Sequence, residues 1–257
     1  MHPAWLEPDW PAPTRVRAVC TTRDGGASKP PFDSFNLGDH VGDDANAVQI
    51  NRQQLAQSLT ARPVFLSQVH GVEVLELQGE HADGLQADAC LTRLPGLACS
   101  IMVADCLPIL LTDRAGSLVA AAHAGWRGLA GSQGRGVLES LLTRMQAVLE
   151  VEPAQLLAWI GPGIGPTRYE VGDEVRAAFV QHDAGASSCF QPALTVGKWL
   201  ADLPQLARRR LGRLGLENIY GNDGSTEWCT MSNPSRFFSH RRDRISGRMA
   251  ACIWLVR

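Results

Sequence analysis

The sequence lacks a strong charge of either sign. Its 257 residues include 24 Lys and Arg against 26 Asp and Glu, which gives a formal net charge of −2 at pH 7. A basic surface that would attract nucleic acid or an anionic membrane is therefore not expected. Hydrophobic residues make up 45% of the chain, as in ordinary globular proteins. We expect one domain over residues 1–257, no nucleic-acid partner, and no obligate protein partner.

The seven cysteines lack the spacings of a redox motif or of a structural metal site. None of them forms a C-x-x-C pair, which excludes a thioredoxin-like redox motif and the zinc clip of that spacing. Residues 1–13 also lack the basic and apolar regions of a secretory signal, so disulfides are not expected. We therefore expect a cytoplasmic protein whose cysteines are mostly buried.

A long uninterrupted hydrophobic run is missing as well. The best candidate is segment 94–111, which Asp105 and Pro108 interrupt. Because a membrane helix needs about 20 consecutive apolar residues, we interpret this segment as a buried strand with a break and expect no membrane partner. The glycines of segment 161–165 lack the third member of the dinucleotide-binding fingerprint, which argues against that fold.

Apolar residues recur at helical spacing in four segments, and short apolar runs bounded by turn residues predict strands in eight others. The predicted helices are 43–60, 137–150, 172–182 and 199–214. The predicted strands are 16–22, 63–71, 72–77, 97–106, 108–113, 116–125, 156–165 and 249–256, and the best loop candidates are 23–32 and 182–189. Because helices and strands do not alternate strictly, we predict an α+β layered sandwich rather than a barrel or a doubly wound sheet.

Three of the predicted strands end on side chains that bind metals. They carry His70 in QVHG, Cys106 in ADC and His123 in AAAHAG. Two imidazoles and a thiolate suit zinc, and three protein ligands leave a fourth position for water or substrate. A histidine after a strand is, however, often only hydrogen-bonded, and a cysteine in an apolar run often belongs to the core. The residue pattern alone leaves both interpretations open, since only the fold could bring the three together.

Longer segments resemble the YfiH/DUF152 family, in the same order along the chain. They are FNLGDHVGDDANAVQINR, QVHG, ADCLPILL, AAAHAGWRG, IGPGIGPTRYEVG and FFSHRRDRISGRMAACIWL, and together they cover nearly the whole chain. The resemblance implies a YfiH-like α-β-β-α sandwich with mixed β-sheets. It also implies that His70, Cys106 and His123 hold a zinc ion and form the catalytic centre.

Members of this family are known as polyphenol oxidases or laccase-domain proteins, and relatives act as purine nucleoside phosphorylases or peptidoglycan editing factors. The resemblance implies first a zinc-dependent phosphorylase. Adenosine, inosine, guanosine and methylthioadenosine would react with phosphate to give the free base and the ribose 1-phosphate. It further implies adenosine deaminase activity, which zinc suits because it lowers the pKa of a bound water.

Three other functions stay open. A copper-dependent oxidase is possible with a single copper on the same three ligands and Met102 as axial ligand, but seven histidines without an H-x-H pair do not predict a copper cluster. Cys106 could instead act as a nucleophile, with His70 or His123 as base, in an editing hydrolase for cell-wall precursors. A structural zinc site is least expected, because such sites usually have four protein ligands.

Several polar residues near these motifs are candidates for substrate contacts. The candidates for binding phosphate are Arg52, Arg127, Arg241 and Arg242. Asn36 and Gln68 could hydrogen-bond a base or a ribose. Asp105, beside Cys106, is more typical of a residue that orients a ligand or caps a turn than of a general acid.

Overall fold

The computed structural model describes residues 2–79 and 82–256, and Met1, Glu80, His81 and Arg257, which the predicted domain 1–257 includes, lie outside the described residues. The helices are α1 (Ala45–Leu59), α2 (Trp126–Ala130), α3 (Val137–Leu149), α4 (Asp173–Val180), α5 (Leu203–Arg213) and α6 (His240–Asp243). The strands are β1 (Val16–Cys20), β2 (Arg62–Phe65), β3 (Val74–Glu76), β4 (Ala89–Thr92), β5 (Leu97–Val103), β6 (Leu107–Asp113), β7 (Val119–Ala124), β8 (Leu156–Ile160), β9 (Glu170–Gly172), β10 (Phe190–Pro192), β11 (Lys198–Ala201), β12 (Asn218–Gly221) and β13 (Met249–Leu255). Among the described residues, no helix is long and apolar enough to cross a membrane.

The first large sheet has four strands in the order β1-β13-β5-β2. Strand β13 is antiparallel to both of its neighbours, whereas β2 is parallel to β5. Side chains of β5 alternate between two apolar layers, as the pleat of a strand requires. Ile101 and Val103 face the second sheet, while Ala98 and Met102 pack with Leu55 of α1 on the opposite face. This sheet is therefore covered on both sides.

The second large sheet has six strands in the order β12-β8-β6-β7-β4-β3. Its two outer pairs are parallel and its inner pairs antiparallel. Leu110 and Trp159 face the four-stranded sheet, while Leu111 and Ala122 face a layer formed by α3, α4 and α5. The layers thus run α-β-β-α with mixed sheets, which confirms the predicted fold class. A small sheet, β10-β11-β9, flanks this core.

Helix boundaries follow their caps. Asp44 accepts a hydrogen bond from the N–H of Ala47 at 2.9 Å, so α1 begins at Ala45, close to its predicted start. The predicted helix 199–214 is wrong at its beginning, because residues 199–201 form part of β11. Asp202 then caps α5 by accepting from the N–H of Gln205. The predicted loop 182–189 is also wrong in part, since Ala184–Cys189 form a short 3₁₀ helix.

The predicted strands that carry His70, Cys106 and His123, which we call the metal-type residues, are too long. The strand predicted over 63–71 ends at Phe65, and the one predicted over 97–106 ends at Val103. The sequence pattern also missed β4, β12 and the small sheet, whose strands have five residues or fewer. Short strands carry too few residues for a clear alternation of apolar and polar positions.

Candidate metal centre

His70, Cys106 and His123 meet at one end of the six-stranded sheet. His123 is the penultimate residue of β7 and pairs with Pro108 of the neighbouring β6, and Cys106 directly precedes β6. His70 reaches the same point from the irregular segment after β2, with a left-handed φ of 60°. The potential ligand atoms of the three residues lie within 4.8 Å of one another, and His70 Nε2 is 3.7 Å from Cys106 Sγ. The fold supplies the convergence that spacing alone could not.

Asp88 is a central residue of this site that the sequence pattern did not reveal. It is completely buried, one residue before β4, and its Oδ1 lies 2.7 Å from Nδ1 of His123. The same carboxylate accepts hydrogen bonds from the N–H groups of Val69, His70 and Gly71 at 3.1, 2.9 and 2.7 Å. Asp88 therefore holds the ring of one candidate ligand and the backbone of another, and it leaves Nε2 of His123 as the free donor atom.

The electrostatics favour a thiolate in the cluster. Burial opposes ionisation of Cys106, but His123 and His70 outweigh it and lower the pKa of the thiol to about 6. Burial also opposes the charged form of His123, yet Cys106 and Asp88 raise the pKa of this imidazole to about 9. The pKa of Asp88 is lowered, because its hydrogen bonds from His123 and the backbone outweigh burial. The thiolate is the form of cysteine that binds metals.

Gly125 lies directly against the cluster. A Cβ atom at this position would lie 2.7 Å from Cδ2 of His70 and 2.9 Å from Sγ of Cys106. Its φ of −72° is ordinary, so the requirement for glycine is steric and not conformational. This glycine therefore leaves room for the side chains of His70 and Cys106. In residues 2–79 and 82–256, no fourth His, Cys, Asp or Glu joins the group. The donor set fits a zinc ion with one open position.

A cavity of about 410 Å³ lies over the cluster. A site of this size accommodates a small organic ligand. Arg127, which is exposed, stacks on the ring of Trp126 at 4.6 Å. Arg241 donates from Nη1 to the carbonyl of Glu170 at 2.7 Å and lies over the ring of Tyr169. Both arginines line the cavity, as a phosphate contact requires.

Arg248 is a third arginine of the cavity, and the sequence pattern did not reveal it. Its Nη1 donates to the carbonyls of Ser246 and Gly247 at 2.8 and 3.1 Å. Burial lowers the pKa of its guanidinium, although the nearby Cys106 favours the charged form. The only sequence signal is its place immediately before the buried strand β13, at the end of the resembling segment.

Two of the predicted phosphate contacts are engaged elsewhere. Arg52 donates to the carbonyl of Leu37 at 2.9 Å, pairs with Asp39 at 3.2 Å and lies over the ring of Phe65. It lines a different surface depression from the one over the metal-type residues. Arg242 binds Asp243 and three backbone carbonyls, those of Thr230, Met231 and Phe237. These contacts stabilise loops, and the role of both arginines as phosphate contacts stays a prediction.

The two predicted amide contacts hold the protein backbone. Asn36 is completely buried, and its Oδ1 accepts from the N–H groups of Gly38 and Arg248 while its Nδ2 donates to Gly38 and Asp43. Its amide is fully engaged by these contacts, one of which positions the backbone of Arg248, and its role as a substrate contact stays a prediction. Gln68 lines the cavity, yet its amide clamps the N–H and carbonyl of Met102, both at 2.8 Å. This clamp ties the His70 segment to β5.

Asp105 and Met102 also have structural partners. Asp105 has a φ of 92°, accepts from the hydroxyl of Thr230 at 2.6 Å and accepts from the N–H of Arg241 at 2.7 Å. It orients the turn before Cys106, in line with its expected role. The side chain of Met102 packs in the layer beneath α1, with Sδ 3.9 Å from Nη2 of Arg52. Met102 also lines the cavity over the cluster, and its role as an axial copper ligand stays a prediction.

Several known proteins are similar to this chain in sequence and in fold. A sequence model of the family described as "Multi-copper polyphenol oxidoreductase laccase" matches residues 17–256. The protein named "Purine nucleoside phosphorylase YfiH" of Escherichia coli (strain K12) is 49% identical, over 98% of both chains. The chain belongs to the laccase-like YfiH/DUF152 family.

Other members of the YfiH/DUF152 family are similarly close. "Purine nucleoside phosphorylase PA4543" of Pseudomonas aeruginosa is 51% identical, again over 98% of both chains. The crystal structure of the DUF152 protein NMB0706 of Neisseria meningitidis superposes with a TM-score of 0.88 at 41% identity, over 99% of this chain and 100% of that one. The family and the sandwich fold implied by the sequence motifs are thus confirmed.

Proposed function

We propose that this YfiH-family protein is a zinc-dependent purine nucleoside phosphorylase that also deaminates adenosine. The observation that carries the proposal is the group of His70, Cys106 and His123 beneath a cavity whose lining includes three arginines. The names of two close relatives support the phosphorylase assignment. Adenosine, inosine, guanosine and methylthioadenosine are the proposed nucleoside substrates, with phosphate as the second substrate and no further partner.

The arginines have the chemistry to hold the phosphate. A guanidinium binds phosphate oxygens through paired, charge-assisted hydrogen bonds. Arg127 is the foremost candidate, since its guanidinium has no hydrogen bond or ion pair within the described part of the chain. Arg241 and Arg248 are already oriented by backbone carbonyls and would present their remaining N–H groups to the cavity. Fixing the phosphate against the sugar makes its attack on C1′ effectively unimolecular.

The nucleoside needs a planar surface and a proton donor. Trp126 and Tyr169 line the cavity and offer aromatic faces for a purine. His40 and His240, both exposed at the same cavity, are the candidates to give a proton to the departing base. Zinc on the three ligands would supply Lewis-acid chemistry of the kind that deamination requires.

The family description names copper, whereas the donor set favours zinc. A multi-copper oxidase needs several clustered metal sites, and the described residues form a single group of three ligands. The side chain of Met102 packs in the layer beneath α1, which argues against it as an axial copper ligand. The cysteines of the described chain are all free, which fits the reducing cytoplasm in which we place the enzyme.

An editing hydrolase is the second candidate. It is favoured by the partly exposed Cys106, whose pKa of about 6 makes it a potential nucleophile beside His123. A metal-bound thiolate is a poor free nucleophile, so metal content separates the two proposals.

The test combines metal analysis with nucleoside assays on the wild type, Cys106→Ala and the control Cys189→Ala, whose cysteine lies outside the cluster. We expect about one zinc ion per chain in the wild type and control, and little in Cys106→Ala. We also expect phosphate-dependent release of free base from inosine and adenosine. Full metal content in Cys106→Ala would overturn the ligand assignment. A zinc-loaded wild type that releases no base would overturn the phosphorylase.

A further inference from the structure

A second cavity, of about 240 Å³, lies between α3, α4 and α5. It shares no lining residue with the cavity over the metal-type cluster. Its basic lining consists of Arg135, Arg209, Arg210, Arg213 and His182, and its acidic lining of Glu139 and Asp183. We call it the arginine cavity.

Asp183 fixes two of these arginines. Its carboxylate accepts from Nε and Nη2 of Arg209, the latter at 2.6 Å, and pairs with Nη1 of Arg213 at 3.0 Å. Arg209 and Arg213 lower the pKa of Asp183 to about 2, so this carboxylate is ionised at neutral pH. The bidentate geometry holds the Arg209 guanidinium in one orientation. Its remaining N–H groups are therefore available in a fixed direction.

Glu139 fixes a third arginine. Its Oε1 accepts from Nε of Arg210 at 3.0 Å, and Nη2 of Arg210 also donates to the carbonyl of Gly134 at 2.5 Å. The other oxygen of Glu139 accepts from the N–H of Gly136 at the start of α3. Only 11% of the Arg210 side chain is exposed, so this guanidinium is well shielded from solvent.

The arginine cavity keeps an excess of positive charge after these pairs are formed. Four guanidinium groups face two carboxylates, and the guanidinium of Arg135 has no carboxylate partner among the described residues. A charge that is partly shielded from water interacts more strongly with an opposite charge than an exposed one does. An anion entering the cavity would meet preoriented donors on Arg209 and Arg210, with Arg135 and Arg213 at the exposed side.

The floor of the arginine cavity is formed by apolar side chains. Phe179, Ala186 and Leu206 are buried beneath it. Gly185 leaves room for the Arg209 guanidinium beside the backbone, because a Cβ there would be only 2.0 Å from Nη2. Inorganic phosphate has no apolar part that could cover this floor. The cavity volume of about 240 Å³, in turn, is too small for a whole nucleotide. The space suits a phosphate group with a small organic part.

We infer that the arginine cavity binds a small phosphate monoester, such as a sugar phosphate, independently of the metal-type site. The phosphate is held by the guanidinium groups and the organic part rests on Phe179 and Leu206. The binding needs no zinc and no nucleoside.

The test uses ribose 5-phosphate as probe and histidine ring NMR as readout. His182 lines the arginine cavity, whereas His70, His123 and His240 report on the metal-type cavity, so binding at the two places is distinguished. His182→Gln assigns the reporter signal. We expect a saturable shift of the His182 signal, weakened at least tenfold in Arg135→Ala/Arg213→Ala and unchanged in Arg144→Ala. Arg144 is a suitable control because it pairs with Glu76 elsewhere on the surface.

Three results would overturn the inference. They are a His182 signal that does not move, an equal affinity in the double variant, and an equal loss in Arg144→Ala. Inorganic phosphate should bind more weakly than ribose 5-phosphate, and equal affinities would exclude a role for the apolar floor. If the double variant does not fold, Arg135→Ala alone serves, since its side chain is exposed and unpaired within the described ranges.

Discussion

Asp88 and His123 form a buried pair in which the carboxylate Oδ1 lies 2.7 Å from the imidazole Nδ1. The same carboxylate accepts hydrogen bonds from three consecutive backbone N–H groups in the segment that carries His70. One side chain thus sets the position of two candidate ligands. The geometry of the cluster thus depends on a residue outside it.

We predict that Asp88→Asn weakens zinc binding by about 10- to 100-fold, the usual effect of losing a carboxylate behind a histidine ligand. The amide cannot accept the same set of N–H groups while also fixing the tautomer of His123. Chelator competition on the purified protein measures the affinity. Asp113→Asn is the matched control, because Asp113 is also buried and accepts backbone N–H groups of Ser117 and Leu118. Equal zinc affinities in the two variants would contradict the role of Asp88.

We predict that Gly125→Ala folds but loses the metal, because the added methyl group would occupy the space of His70 and Cys106. Metal content and circular dichroism are the measurements. Gly212→Ala in α5 has open space around its Cβ and serves as control; it should bind zinc normally and be slightly more stable. Normal zinc content in Gly125→Ala would show that the ligands have other room.

The alkylation rate of metal-free protein should depend on pH through Cys106. The thiolate reacts and the thiol does not, so the rate with iodoacetamide should rise with a midpoint near pH 6 and fall away below it. Zinc should suppress the reaction. In His123→Gln the midpoint should move to higher pH, because the group that most favours the thiolate is lost. The other cysteines are buried, and Cys106→Ala supplies the background rate. A midpoint near 9 in the wild type would refute the ion pair.

Arg127→Ala should raise the KM for phosphate about 10- to 100-fold, since a hydrogen bond to a charged group contributes about 1.5–3 kcal/mol. Arg52→Ala should lower the melting temperature, because the contacts with Leu37 and Asp39 are lost, while leaving that KM unchanged. Steady-state kinetics with inosine at varied phosphate distinguishes the two. If Arg52→Ala has the larger effect on KM, the phosphate lies elsewhere.

The sequence predicted the layers and the metal-type cluster better than the surroundings of the cluster. Long apolar runs such as those of β5 and β13 must be covered on both faces, whatever covers them. His70, Cys106 and His123 were visible because their residue types are rare at the ends of such runs, and the family resemblance then selected them. Asp88 and Arg248 carry no such pattern, because a single polar residue beside a strand gains its meaning only from the chain packed against it.

The sequence pattern is also a poor guide to the partners of individual residues, for the same reason. Arg52 on a helix looks the same in sequence whether it faces a ligand or a carbonyl, and the carbonyl of Leu37 reaches it from a loop without regular structure. The sequence offers Asn36 as a contact for a base or a ribose, yet its side chain is completely buried and binds the backbone of Arg248, which lies 212 residues further along the chain. The apolar residues from Trp199 onward match a helical period, but Trp199 pairs with Pro192 and Val171 in the small sheet. The sequence pattern does not show this pairing, because the partners lie in other segments.

The segment that carries His70 is fastened to both large sheets, by Gln68 to β5 in one and by Asp88 to β4 and β7 in the other. His123 belongs to the second sheet, and Cys106 lies in the short connection from β5 of the first sheet to β6 of the second. In the unfolded chain the three residues are separated by loops of 36 and 17 residues, whose closure costs entropy. A metal ion held by all three residues would therefore be captured only after the sheets have packed, and its loading would be a late event in the maturation of the chain.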